Sequence, residues 1–163
     1  MSKAGTKSSG IAWMIALATA ALAVGVSFLS LKVSLPGVVS WLVYIAAFGV
    51  GGAIATYLKK GGAGGGIVAY LVASILTAIG VAIVASMAVS EATTAVTSIG
   101  ATDQATRDAA AAAGNAFGAL AGILAAIGSF VVTFLAGLTG CLIGNAVKKK
   151  AVAASPVAER LAA

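Results

Sequence analysis

Histidine is absent from this chain, cysteine occurs once, and only four residues are acidic. The first two shortages remove the usual ligands of zinc, haem and iron–sulfur clusters. The third leaves no carboxylate pair inside any apolar run, so acid–base and nucleophilic catalysis lack their usual groups. The expectation is a non-enzymatic chain with no catalytic residues, no metal and no cofactor. Cys141 stands alone deep in an apolar run and cannot form an intrachain disulfide. Charge is scarce as well, at 9% of residues against about 25% in soluble domains. An ordinary soluble surface is therefore excluded. Ion-coupled transport is also disfavoured, because it places ionisable groups inside the membrane and none lies mid-run here. Proline is limited to Pro36 and Pro156, so helices between them meet no internal breaker.

What is present is apolar and small. Hydrophobic residues make up 61% of the chain, with 21 glycines. They gather into four runs, 11–31, 38–58, 67–89 and 116–147, each long enough to cross the roughly 30 Å hydrocarbon core of a bilayer as a helix. The first run follows Lys3 and Lys7 and contains Ala-Leu-Ala at 21–23, the outline of a signal peptide. Its length exceeds a usual signal core, so it is read as a first transmembrane helix. No period-two strand pattern or heptad register competes. The fold class expected is an all-α integral membrane protein of one domain, four transmembrane helices in an antiparallel bundle.

The connections are of three kinds. Pro36-Gly37 carries turn chemistry and returns the second helix beside the first. Residues 61–66, GGAGGG, read as a flexible linker. They are not a phosphate loop, since Lys59 and Lys60 precede the glycines and no Ser or Thr follows. Residues 90–115 read as the one sizeable outer loop. Its DQATRDAAAAA portion is helix-forming, so helix four, and potentially three, is expected to extend beyond the bilayer as a helical hairpin. Residues 1–10 read as a polar tail and 148–163 as a second tail, in which Ser155 and Pro156 suit the start of a short helix.

Four spans put both termini on one side. That side then holds Lys3, Lys7, Lys59, Lys60, Lys148, Lys149, Lys150 and Arg160. The other holds Lys32 and Arg107, with Glu91, Asp103 and Asp108. The asymmetry predicts cytoplasmic termini, in a bacterial cytoplasmic (inner) membrane. Trp13, Tyr57 and Tyr70 fall toward the inner interface, and Trp41 and Tyr44 toward the outer, as aromatic belts do. The net charge of +6 is explained by topology, so no nucleic-acid partner is expected. Lys59, Lys60 and Lys148–Lys150 are read first as topology signals, and second as contacts to lipid headgroups.

Hydroxyl residues inside the runs, such as Thr19, Ser27, Thr56 and Thr133, are expected to bond their own helix carbonyls; a pore lining is the sharper alternative. The remaining signal is small-residue spacing. Gly114, Gly118, Gly122 and Ala126 form one four-residue ladder, Gly140 and Gly144 a second, and Ala47, Gly51 and Ala55 a third. In lipid such stripes let helix backbones approach. They pack either within the bundle or against another copy or partner. The functional expectation is a membrane subunit that scaffolds or assembles a complex by helix packing. A holin-like pore former is the alternative, as is a small lipid-binding or transport protein. Membrane lipids and either a homo-oligomer or a larger complex are the expected partners.

Overall fold

The computed structural model describes residues 5–33, 36–58, 64–100 and 103–161. They form four helices, α1 (Gly5–Val33), α2 (Gly37–Leu58), α3 (Gly64–Gly100) and α4 (Gln104–Leu161). No strand occurs among the described residues. All four helices contain a stretch long and apolar enough to cross a membrane, which marks a membrane protein.

The helix starts follow from local chemistry. The amide of Val39 donates to the carbonyl of Pro36 at 2.9 Å, closing the first turn of α2 just past the proline. Asp103 caps α4: its Oδ1 accepts from the Thr106 amide at 2.7 Å, and its carbonyl accepts from the Arg107 amide. A helix start leaves four amides without intrahelical partners, and an aspartate there satisfies one of them.

The expected helical continuation into 90–115 is present, and three other expectations about the connections change. The stretch 90–115 is helical over 90–100 and 104–115, so the helix-forming residues continue both flanking spans and little loop remains. Residues 5–10 belong to α1, and α4 runs through Ser155 and Pro156 to Leu161 without starting a new helix there. Alanine-rich flanks carry the backbone past the one hydrogen bond that proline removes. Lys59, Lys60 and the first glycines of the linker lie outside the described residues, while Gly64–Gly66 already belong to α3.

The helices pack in the cyclic order α1–α2–α4–α3. The α3–α4 contact is the most extensive and α2–α4 the next, α2 and α3 barely touch, and among the described residues α1 does not contact α4. Across α1 and α2, Ser30 bonds Ser40 at 2.9 Å and Ser27 bonds Tyr44. The α1 wall is built of small residues, with Ala12, Ala16, Ala20 and Ala23 buried at four- and three-residue steps beside Thr19 and Ser27. Large apolar side chains such as Leu22, Ile79 and Leu135 point outward. This inversion of a soluble core suits a lipid solvent, in which helices gain nothing by hiding leucine from water and associate through close packing.

Candidate functional site

The centre of the bundle is Tyr70. It is 1% exposed and lies among all three other helices. Its ring meets Phe48 of α2 edge-to-face, with centroids 5.8 Å apart. Its hydroxyl lies 3.5 Å from Thr19 Oγ1 of α1. The ring fits because two glycines make room: a Cβ on Gly137 of α4 would stand 2.9 Å from Tyr70 Cδ1, and one on Gly51 of α2 would collide with the hydroxyl. Tyr44 is likewise buried, bonded to Ser27 and edge-on to Trp41. Neither tyrosine belongs to an interfacial belt, contrary to the expectation from their positions along the runs. Trp41 and Tyr57 are the exposed aromatics of α2.

The hydroxyls of the interior are turned onto their own helices. Thr19 donates to Ile15 O at 2.8 Å, Ser27 to Ala23 O at 2.9 Å, and Ser74 to Tyr70 O at 2.8 Å. Thr77 and Thr133 do the same to Ala73 and Ser129. Each satisfies its donor one turn back, which is how a hydroxyl is carried in a medium without water. Thr56 differs. Its Oγ1 is buried and makes no hydrogen bond of ordinary geometry. It lies with the Cys141 sulfur around Gly66, where an added Cβ would meet Thr56 Oγ1 at 2.9 Å and Cys141 Sγ at 3.4 Å. The two groups line the same small space, in which a thiol is only a weak donor or acceptor. No group of three metal-ligating side chains occurs among the described residues.

The small-residue stripes are occupied from within the chain. Gly114, Gly118 and Gly122 are buried against α3: added Cβ atoms would meet Thr93, the Ser86 carbonyl at 3.3 Å and the Ala82 carbonyl at 3.0 Å. Ala126, next in that ladder, is half-buried. Gly140 and Gly144 lie on the backbone of Gly49 and Ala53 in α2. Their partners on α2 are therefore Gly49 and Ala53, with Gly52 beside them against Gly137 and Cys141, while Gly51 and Ala55 of the expected stripe turn toward the bundle interior and Ala47 is half-buried. Gly52 had no distinguishing sequence signal beyond lying beside that stripe; a Cβ there would stand 2.6 Å from the Gly137 carbonyl.

Outside the spans, Lys149 and Lys150 are exposed and Lys148 is half-buried. At the opposite end of α4, hydrogen bonds from the Thr106 side chain and amide hold the Asp103 carboxyl below its ordinary value. Between the distal halves of α3 and α4 lies a polar cleft of about 500 Å³, lined by Ser90, Thr94, Arg107, Asp108 and Asn115 among others. Compared with known proteins, the chain matches no family model, no curated protein sequence and no solved structure.

Proposed function

We propose that this chain is a non-enzymatic membrane subunit that assembles into a complex through the outer part of its α3–α4 hairpin. The spans are read as an antiparallel bundle with both termini on the cytoplasmic face of a bacterial inner membrane. Contacts that pair Ser30 with Ser40 and Gly114 with Thr93 support that arrangement, and the eight-to-two division of basic residues supports the orientation.

One observation carries the assembly reading. The α3–α4 hairpin outruns α1 and α2. Gly128 faces Trp41, near the start of α2, and Gly80 faces Val24 of α1, beyond which α1 has nine residues left and α3 twenty. Residues of α4 more than a turn before Gly128 have α3 as their neighbour, and the nearest atoms around Gly114, Gly118 and Gly122 are all from α3. Phe117 is nevertheless 67% exposed and Val96 71% exposed. Apolar side chains of this size on a two-helix projection want a cover. With the glycine stripes already filled inside the chain, these residues are the surface left for a partner.

The test replaces Val96 and Phe117 with serine, which leaves the glycine seam intact. In mild detergent the wild-type chain should migrate on native gels well above its own 15.6 kDa, and the V96S/F117S variant should fall back toward a single chain. Equal migration of the two would refute the reading.

A further inference from the structure

The uncovered residues of the hairpin share one flank. The polar cleft lies on the other, where its lining includes Thr94 of α3 and Asn115 of α4. Val96 and Phe117 come two residues later on their helices, about 200° around, and so face away from the cleft. Phe117 also precedes Gly128 by eleven residues, close to three full turns, and stands above it. Gly128 is where α4 meets Trp41 of α2. Between them, at one and two turns, fall Leu124, which is 62% exposed, and the half-buried Ala121. Ala113, Ala110 and Thr106 continue the stripe at helical spacing toward the start of α4. The stripe carries no charge. It lies about 100° around α4 from Gly114 and Gly118, which face α3.

This stripe is the α2-facing side of α4, continued past the end of α2. Trp41 is the fifth residue of α2, so α2 begins about one turn above Gly128. From that level α4 rises about twenty more residues, roughly 30 Å, to Gln104. What remains is a slot one helix wide, backed by the stripe and floored by the start of α2, where Val38 is 70% exposed. The bilayer boundary falls near the same level. Counted from Val147, the last residue before the lysines, a hydrocarbon core of roughly 30 Å takes about twenty residues of helix and ends near Ile127. The slot is therefore open to water above and closed by α2 below. A membrane-spanning helix placed in it would have to run on through α2. The hairpin of a second copy in the same membrane meets the same obstacle, because its α3 and α4 continue unbroken into their own spans. The occupant that fits is a helix that arrives from the aqueous side and stops at the bilayer surface. Its inner face must be apolar to cover Phe117 and Leu124, and its outer face polar to meet water.

We propose that the partner is a protein outside the bilayer that lays one amphipathic helix in the slot above α2, along the Thr106–Leu124 stripe of α4. The proposal rests on the assembly reading, and adds to it which flank of the hairpin is used and what kind of segment covers it.

The experiment reads thiol labelling of the full chain, first in its native membrane and then purified free of partners in a stronger detergent. Cys141 is buried, so the wild type is the unlabelled reference. A113C lies on the stripe and A119C on the opposite flank, both at exposed alanines. A membrane-impermeant maleimide supplied to both faces should label A119C in both settings, and A113C only after purification. A113W, which fills the slot, should reduce native-gel size to that of a single chain, while A119W should keep the wild-type size. Labelling of A113C in the native membrane, in a chain whose complex V96S/F117S still disperses, overturns the slot and leaves the assembly reading standing. Wild-type size in V96S/F117S removes both. An A113C–A113C disulfide formed between two copies on oxidation would put a second copy in the slot and also overturn the proposal.

Discussion

Each buried glycine of this chain is defined by what a methyl group in its place would strike. At Gly140 an added Cβ would stand 2.9 Å from the Gly49 carbonyl carbon and 3.1 Å from the Ala53 amide nitrogen, both backbone atoms that cannot rotate away. At Gly25, in the middle of α1, it would meet nothing within 4 Å. The same substitution should therefore have opposite effects. Glycine to alanine gains about 1 kcal/mol of helix propensity, and overpacking costs about 1–3 kcal/mol. G25A should raise resistance to unfolding in an SDS titration followed by circular dichroism, and G140A should lower it. Four-residue glycine spacing in the sequence marks a close-packing face but carries no sign of which neighbour fills it. Nor does it separate Gly25, open on all sides, from Gly51, pressed against the Tyr70 hydroxyl. The tyrosines show the same limit. Near the end of an apolar run, a tyrosine reads as an interfacial anchor; what buries Tyr70 is a notch made by glycines on two other helices, and a linear sequence does not bring those together.

The helices themselves were legible because a bilayer leaves so few options: an uncharged run of twenty or more residues has to satisfy its backbone internally. Their ends were less so. The stretch 90–115 is polar enough to read as loop and alanine-rich enough to read as helix. Extending α3 to Gly100 and starting α4 at Gln104 resolves it in favour of helix. Propensity there is reinforced by tertiary packing, with Gly114 seated on Thr93. The start of α4 depends on Asp103, and its behaviour with pH has a definite sign. Hydrogen bonds from Thr106 favour the ionised carboxylate and lower its folded-state value. The cap's contribution is then fully present above the unfolded value, near 3.9, and is lost as pH falls through the lower folded value. Amide exchange at Thr106 and Arg107, corrected for its intrinsic pH dependence, should speed up on acidification below about pH 4. In D103N, which has no carboxyl to titrate, that acid step should vanish.

At the scale of the molecule, two helix pairs of unequal length share one bundle. The α1–α2 pair is long enough to cross a membrane and little more, with helices of 29 and 22 residues. The α3–α4 pair has helices of 37 and 58 residues, about 55 and 87 Å long, far beyond one bilayer. Within the shared region small residues close the interior, and the buried serine and threonine hydroxyls other than Thr56 are bonded to their own helices, leaving a packed seam. The excess length is what the assembly account has to explain. Its most direct measurement is a photo-crosslinking amino acid placed at Phe117 in cells, with the same group at Leu142 as the control, since Leu142 is an exposed apolar residue of α4 well away from the projecting hairpin. A discrete crosslinked protein species is expected from Phe117 and lipid adducts alone from Leu142. Lipid adducts alone from both positions would contradict it.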